Sequence, residues 1–198
     1  MIDRKRSRFQ RALTTVCCAT AAIAAVALGF FVVRTAATTY SMASTSARYD
    51  RALAALDFVP DRLLLSFHGM PQRTLRKGDP YHCHCRKTAR LVGERMAIAV
   101  DTAFQSRFGR DKWLEPSTEN VLAAYPAQGV KKLAIAAPGF SADCIETIEE
   151  LGIRGRESFE EAGGTHFARL DCLNASDEGM TMLSRILSRE LAGWVEPA

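Results

Sequence analysis

The chain of 198 residues is long enough for one ordinary domain with a sizeable core, and its 47% apolar and 24% charged residues are typical of a globular protein. The formal net charge of +4 comes from residues 1–11, a basic head with five basic side chains and one acidic one. The rest of the chain is electrically balanced, so we expect no nucleic-acid partner.

The segment from Ala12 to Val33 contains no charged residue and is long enough to cross a bilayer as a helix. A secretory signal is the alternative, because Ser41-Met42-Ala43 resembles a cleavage site. Residues 34–48 are small and polar, as in a linker. Residues 49–198 form the body of the chain.

Two features of the sequence disagree about the compartment of the body. The basic head predicts a cytoplasmic N-terminus with the body across the membrane. The body's four cysteines lack the regular spacing of a disulfide framework and predict free thiols in a reducing compartment. Either one interpretation is wrong or residues 1–48 are not native to the body. We expect a cytoplasmic protein with inner-membrane contact through residues 12–33.

Helix and strand patterns alternate from Tyr49 onward. Apolar runs predict strands over Leu63–Phe67 and Leu133–Ala137. Shorter strands are predicted over Trp113–Pro116, which Pro116 ends, and over Phe167–Asp171. The intervening patterns predict helices over Tyr49–Asp57, Cys83–Phe104, Ser117–Tyr125, Ser141–Leu151 and Glu178–Ala192. Strands separated by helices predict an α/β fold of the Rossmann type, with a parallel sheet, helices on both faces and an apolar helix before it.

His68 directly follows the predicted strand Leu63–Phe67, and Gly69 and Pro71 then break the chain. The carboxyl edge of an open α/β sheet is where ligand crevices form. A histidine at that edge can bind a metal or take up a proton near neutral pH. A strand-end histidine satisfied by the backbone is the alternative.

An acidic row follows the predicted strand Leu133–Ala137. In a helix starting near Ser141, residues Asp143, Glu146 and Glu150 have the spacing i, i+3 and i+7 and share one face. Ile145 and Ile148 are expected to face the sheet. Carboxylates opposite an imidazole can pass a hard divalent cation inward and accept protons. A solvated face that complements the helix dipole is the alternative.

Other potential ligands are weaker candidates. One motif of potential ligands is His82-Cys83-His84-Cys85. Its side chains could converge on one ion only in an extended loop, because the side chains of residues i and i+2 point apart on a helix. We favour the start of a helix over a metal site for this motif. Cys144 lies beside the acidic row but has no base partner in the sequence, so it is not favoured as a nucleophile. We assign no role to His166.

Several motifs between about Tyr49 and Trp194 occur in the same order as in the ferrochelatases and resemble theirs. They are Ser66-Phe67-His68-Gly69, Gly78-Asp79-Pro80-Tyr81, Lys87-Thr88-Ala89, Trp113-Leu114-x-Pro116, Pro138-Gly139-Phe140-Ser141-x-Asp143-x-Ile145-Glu146-Thr147-x-x-Glu150, and Gly163-Gly164 followed by Cys172-Leu173-Asn174. The resemblance implies a chelatase-like lobe that inserts Fe²⁺ into a porphyrin, protoporphyrin IX or coproporphyrin, in haem biosynthesis.

The resemblance also implies site residues. His68 and Glu146 match the family's catalytic histidine and glutamate, which face each other across the macrocycle. Asp143 and Glu150, one turn either side of Glu146, complete an implied metal or proton conduit. Ferrous iron is then a substrate, and no prosthetic group is expected. No iron–sulfur cluster is expected either, because the chain has no C-terminal cysteine cluster.

The chain also departs from the family pattern. Family members have two similar lobes that hold the porphyrin between them, and this sequence resembles only the second, C-terminal lobe. Residues 1–48 resemble no part of the family. We therefore expect a truncated chain without its N-terminal lobe and with reduced or no activity. The alternatives are a non-catalytic metal- or haem-binding remnant and a chelatase that loads cobalt or nickel into other tetrapyrroles.

Overall fold

The computed structural model of the chain describes residues 42–194. The basic head, the predicted apolar helix over residues 12–33 and most of the predicted linker lie outside this range. Among residues 42–194, no helix combines the length and the hydropathy needed to cross a membrane.

Four parallel strands form one sheet with the order β2-β1-β3-β4. The strands are β1 (Arg62–His68), β2 (Ala99–Gln105), β3 (Lys132–Ala136) and β4 (His166–Arg169). At the edge, the backbone N–H of Phe104 in β2 donates to Pro116 O at 2.9 Å. The parallel α/β sheet predicted from the sequence is confirmed.

Helices connect the strands. They are α1 (Met42–Ala54), α2 (Gln72–Arg76), α3 (Tyr81–Gly93), α4 (Thr118–Ala124), a short 3₁₀ turn (Pro126–Gln128), a π-helix (Glu146–Arg154), α5 (Gly155–Glu161) and α6 (Asp177–Glu190). The π-helix runs directly into α5, so residues 146–161 form one continuous helical segment.

The alternation of β1 side chains divides the core between the two faces of the sheet. Leu63, Leu65 and Phe67 pack in one apolar cluster with residues of α1 and α3. Leu64 packs in a second cluster with residues of α4, the π-helix and α5. Helices therefore cover both faces, as predicted.

The predicted helix over Cys83–Phe104 is wrong in its second half. Helix α3 ends at Gly93, and Ala99 begins β2. Asp101 makes this strand hard to recognise, because aspartate is uncommon in β-strands. In the fold Asp101 is partnered, accepting hydrogen bonds from Arg62 Nη1 at 3.1 Å and Tyr125 Oη at 2.7 Å.

Two other predicted elements differ from the structure. Trp113–Pro116 is not a strand; Trp113 makes an isolated antiparallel bridge with Pro71, and the Glu115–Pro116 peptide is cis. Residues 42–48 begin helix α1 rather than continuing a linker. Small side chains let this helix approach the body closely, and Ser46 is only 2% exposed.

Gly164 gives a test of core packing, because a Cβ at this residue would lie 2.2 Å from Phe159 Cε1. Phe159 is fully buried in the core, so a shift of its ring would displace other core side chains. We expect Gly164→Ala to lower the free energy of unfolding by about 1–3 kcal/mol through overpacking, measured by chemical denaturation. Gly93→Ala is the matched control, since its Cβ would meet Val100 Cβ at an ordinary 3.4 Å. Equal losses in both variants would contradict this account.

Candidate functional site

His68, Gln105 and the loop after β3 meet at the carboxyl edge of the sheet. His68 ends β1, Gln105 ends β2, and the two are register partners. The ring centroid of Phe140, in the loop after β3, lies 6.3 Å from that of His68. The structure thus places His68 at the sheet edge predicted from the sequence.

The imidazole of His68 is fixed by its own backbone. Nδ1 lies 2.7 Å from Gly69 O, and because a carbonyl only accepts, Nδ1 carries the proton. Nε2 of the neutral ring then holds the free lone pair, which can accept a proton or bind a metal. Gly69 is required here, since a Cβ would lie 2.6 Å from Gln105 O.

Glu146 is the first residue of the π-helix and is half-buried. Its Oε2 accepts a hydrogen bond from Cys144 Sγ at 2.9 Å. This bond is the largest cause that lowers the pKa of Glu146, and a backbone hydrogen bond lowers it further, against the opposing effect of burial. A positive charge on His68 also lowers it whenever that ring is protonated. Glu146 is therefore an ionised carboxylate within electrostatic reach of His68.

Cys144 serves as a hydrogen-bond donor at this edge. Burial raises the pKa of its thiol, and the hydrogen bond to Glu146 raises it further. A protonated thiol is a poor nucleophile, in agreement with the sequence prediction that Cys144 is not a nucleophile.

Gln105 connects the sheet to the start of the π-helix. Its Oε1 accepts from Ser66 Oγ at 2.8 Å, and its Nε2 donates to Glu146 O at 3.0 Å. The Ser66 hydroxyl has one proton, which goes to Gln105, so Thr118 Oγ1 donates to Ser66 Oγ at 2.8 Å. Gln105 could not be identified as a site residue from the sequence, because it directly follows residues 83–104, which are predicted to form a helix.

The helix predicted over Ser141–Leu151 starts only at Glu146, so Asp143 precedes it. Ile145 and Ile148, expected to face the sheet, are instead 72% and 49% exposed. The i→i+5 hydrogen bonds of a π-helix widen each turn, and faces assigned with an α-helical period are therefore displaced.

Asp143 is enclosed by donors on both carboxylate oxygens. Oδ1 accepts from Thr147 Oγ1 at 2.9 Å and Arg169 Nη1 at 2.7 Å. Oδ2 accepts from Asn174 Nδ2 at 2.7 Å and from the Cys172 backbone at 3.3 Å. Burial alone raises the pKa of Asp143, but these hydrogen bonds and the charge of Arg169 outweigh it and lower the pKa.

Glu150 faces the loop that leaves β2. Its Oε1 accepts from the Ser106 backbone N–H at 2.7 Å and its Oε2 from Ser106 Oγ at 2.9 Å. Ser106 has a φ of 60°, in the left-handed region that non-glycine residues seldom adopt. Glu150 thus fixes an unfavourable backbone turn immediately after Gln105.

Within residues 42–194, no group of three or more His, Cys, Asp and Glu side chains is arranged to hold a metal ion. Both oxygens of the Asp143 carboxylate and of the Glu150 carboxylate already accept hydrogen bonds from protein groups. The His82–Cys85 motif lies in α3, with Cys83 and His84 exposed and Cys85 buried, so these side chains diverge as a helix requires. A metal-ligand role for His68, Glu146, Asp143 and Glu150 remains a prediction.

Sequence comparisons with known proteins agree on one family. A family model described as "Ferrochelatase" matches residues 33–191. The match begins before residue 49, where the sequence motifs start. Curated proteins named "Ferrochelatase" from Rhizobium etli and Mesorhizobium japonicum are 46% and 47% identical over 149 residues, 74% of this chain, and the chain covers 43% and 42% of their lengths.

A third relative, named "Ferrochelatase" in Methylibium petroleiphilum, is 51% identical over 137 residues, 68% of this chain and 38% of that protein. The chain therefore spans less than half the length of the curated relatives it matches. Among solved structures, a cobalamin (vitamin B12) biosynthesis CbiX protein from Marinobacter aquaeolei covers 67% of this chain and 98% of its own, with a TM-score of 0.47 and 17% identity.

The two aspartates that share Arg169 give a matched test of Asp143. The side chain of Asp143 is 13% exposed and that of Asp171 is 71% exposed. We expect Asp143→Asn to lower the free energy of unfolding at neutral pH by about 1–3 kcal/mol through loss of charged hydrogen bonds. Asp171→Asn should change it by less than ~1 kcal/mol, because exposed ion pairs contribute little.

The same variants test the pH dependence of stability. Folding lowers the pKa of Asp143, so its contribution is complete above the ordinary value of 3.8 and is lost as the pH falls through the lower folded value. Denaturation curves between neutral pH and about pH 2 should be less acid-sensitive in Asp143→Asn than in the parent chain. A parent-like acid slope in that variant would show that Asp143 does not carry this linkage.

Proposed function

The chain belongs to the ferrochelatase family, and from this premise we propose that it acts in the insertion of ferrous iron into a porphyrin in haem biosynthesis. The observation that carries the proposal is that His68 and Glu146 are brought to the carboxyl edge of the sheet through Gln105, which is the register partner of His68 and donates to Glu146 O. His68 presents a free imidazole lone pair, and Glu146 is a carboxylate whose pKa is lowered.

In the proposed mechanism His68 is the base. A porphyrin loses its pyrrole protons as the metal enters, and Nε2 of His68 is the lone pair positioned to accept one. The resulting imidazolium is stabilised by the negative charge of Glu146, because opposite charges favour each other's ionised form. Binding energy from the rest of the macrocycle would drive the bending that exposes its nitrogen atoms.

We assign Glu146 and His68 as the inner iron ligands and Asp143 and Glu150 as the outer members of the acidic path. Nε2 of His68 has one lone pair, so it would bind the incoming iron first and take up a pyrrole proton only after the iron has left it for the porphyrin. Imidazole and carboxylate are both suitable ligands for Fe²⁺. Hydrogen bonds occupy the outer two carboxylates, so a passing cation would have to displace donors such as Ser106 from Glu150. Iron is thus a substrate in transit, and the proposal includes no prosthetic group and no iron–sulfur cluster.

Apolar side chains near this edge support a flat, apolar substrate such as protoporphyrin IX or coproporphyrin. Phe140 lies beside His68 and is half-buried, and Ile145 and Ile148 on the acidic segment are largely exposed. Phe108, in the loop after β2, is 73% exposed and packs on Trp113 with a ring-centroid distance of 4.9 Å. Buried apolar area of this kind would supply much of the affinity for a macrocycle.

A second candidate function is binding of haem or metal without turnover. It is favoured by the chain's span of less than half the length of its relatives, because a second lobe supplies the other wall of the porphyrin cleft in the family. A cobalt or nickel tetrapyrrole chelatase is the remaining alternative, which metal selectivity in the same assay would reveal.

We expect His68→Ala to abolish the iron insertion that is measured with the N-terminal half of Rhizobium etli ferrochelatase added, while leaving the fold intact, because His68 is half-buried at a strand end and contributes little to the core. Fe²⁺ insertion and circular dichroism are the measurements. His166→Ala is the matched control, since His166 is an exposed histidine at the start of β4. Unaltered turnover in a well-folded His68→Ala variant would refute the role of His68.

Porphyrin titration by fluorescence separates the first two candidate functions. One lobe covers one face of a macrocycle, and halving the buried apolar area removes several kcal/mol at ~25 cal/mol per Å². We therefore expect weaker binding than by full-length Rhizobium etli ferrochelatase, with little turnover unless the N-terminal half of that relative is added. Binding with no turnover, even after that addition, would support the non-catalytic alternative.

We propose a cytoplasmic location with inner-membrane contact through residues 12–33, which carry no charged side chain. Membrane fractionation of the full chain and of a variant lacking residues 1–41 tests this contact. The full chain should sediment with membranes, and the shortened chain should not, because it lacks the apolar segment. Equal partitioning of the two forms would argue against an anchor.

A further inference from the structure

The first turn of α3 contacts the end of β1 at His68. Tyr81 Oη donates a hydrogen bond to His68 O at 2.8 Å. The start of this helix is fixed in turn, because the Tyr81 backbone N–H donates to Asp79 Oδ1 at 2.8 Å. Burial raises the pKa of Tyr81, so its hydroxyl keeps its proton throughout the neutral range.

The backbone of His68 and Gly69 is held by hydrogen bonds at three atoms. His68 O accepts from Tyr81, Gly69 N–H donates to Gln105 O at 2.8 Å, and Gly69 O accepts from the His68 ring. Only the first of these bonds comes from a side chain outside the sheet. It is therefore the one that can be removed without changing the strand pairing or the ring itself.

The residues next to Tyr81 support the same arrangement. The His82 ring stacks on Phe104, the residue before Gln105, with centroids 5.5 Å apart and an interplanar angle of 25°. Cys85, one turn along α3, is 4% exposed in the core cluster that Tyr81 also contacts. The motif considered above as a metal site thus anchors α3 on the ends of β1 and β2.

We propose that Tyr81 is a positioning residue that fixes the tautomer and orientation of His68 through the hydrogen bond from its hydroxyl to the His68 carbonyl. The inference rests on the proposed function only in that His68 is the base. A neutral imidazole in water favours the proton on Nε2, whereas the bond to Gly69 O places it on Nδ1. Loss of the hydrogen bond from Tyr81 would let the His68–Gly69 peptide move and weaken the bond from Nδ1–H to Gly69 O. The proton would then shift towards Nε2, and the free lone pair would lie on Nδ1, facing the backbone.

The test is the ¹⁵N spectrum of the His68 ring in the full chain, recorded at a pH where the ring is neutral. His68→Gln assigns the signals. Tyr81→Phe removes only the hydroxyl and keeps the ring in the core. Tyr125→Phe is the matched control, because it removes a comparable hydroxyl, bonded to Asp101 at 2.7 Å, without touching His68. Thermal unfolding of each variant reports its stability.

In the parent chain and in Tyr125→Phe we expect the proton mainly on Nδ1. In Tyr81→Phe the ratio of the Nδ1–H to the Nε2–H form should fall by roughly three- to tenfold, as expected for loss of one hydrogen bond. A parent-like ratio in Tyr81→Phe, or an equal fall in Tyr125→Phe, would overturn the proposal. The readout needs no iron insertion, so it stands or fails separately from the proposed activity.

Discussion

A buried amide at the end of β2 determines how the two halves of the candidate site meet. Gln105 is 2% exposed, and a buried polar group must find partners inside the protein. One end of its side chain is bonded to β1 through Ser66, and the other holds the first residue of the π-helix. The Gln105 side chain therefore fixes the positions of both His68 and Glu146. Only one orientation of its amide lets the oxygen accept from Ser66 and the nitrogen donate to Glu146 O.

Two further carboxylates, Asp143 and Glu150, hold the segments on either side of Glu146. Asp143 ties the loop before the π-helix to β4 through Arg169, and Glu150 ties the helix to the left-handed turn at Ser106. Neither carboxylate is a free acid on a solvated surface. Both hold the frame in which the Glu146 carboxylate stays ionised near an imidazole, so the acidic row has a structural role in addition to any role in metal transfer.

The parts of this arrangement that could be predicted from the sequence are those set by local apolar pattern. The runs Leu63–Phe67 and Leu133–Ala137 are apolar apart from Ser66 because both faces of their strands are covered, and they indicate a parallel sheet directly. The position of His68 at the carboxyl edge follows from the first run. The roles of His68 and Glu146 came from a family resemblance, which the comparisons extend to residues 33–191.

Features that depend on partners distant in sequence could not be predicted. Strand β2 could not be recognised because it contains Asp101, whose partners Arg62 and Tyr125 are distant in the sequence and become apparent only in the folded chain. A π-helix has no simple signature in residue spacing. The expected common face of Asp143, Glu146 and Glu150 assumes the 3.6-residue period of an α-helix, which does not apply to this segment. Gln105 was missed for the same reason as β2, since the strand it ends was assigned to a helix.

The edges of the sheet affect how this lobe behaves in a crowded solution. An edge strand with free backbone groups is a template for pairing with other chains. Here β2 is covered near its carboxyl end, where Phe104 N–H is bonded to Pro116 O. At the opposite edge, β4 has only four residues and contains a charged side chain, Arg169. Both edges are poor templates for pairing with another chain, so a loop contact at one edge and a short, charged strand at the other protect the lobe against edge-to-edge aggregation.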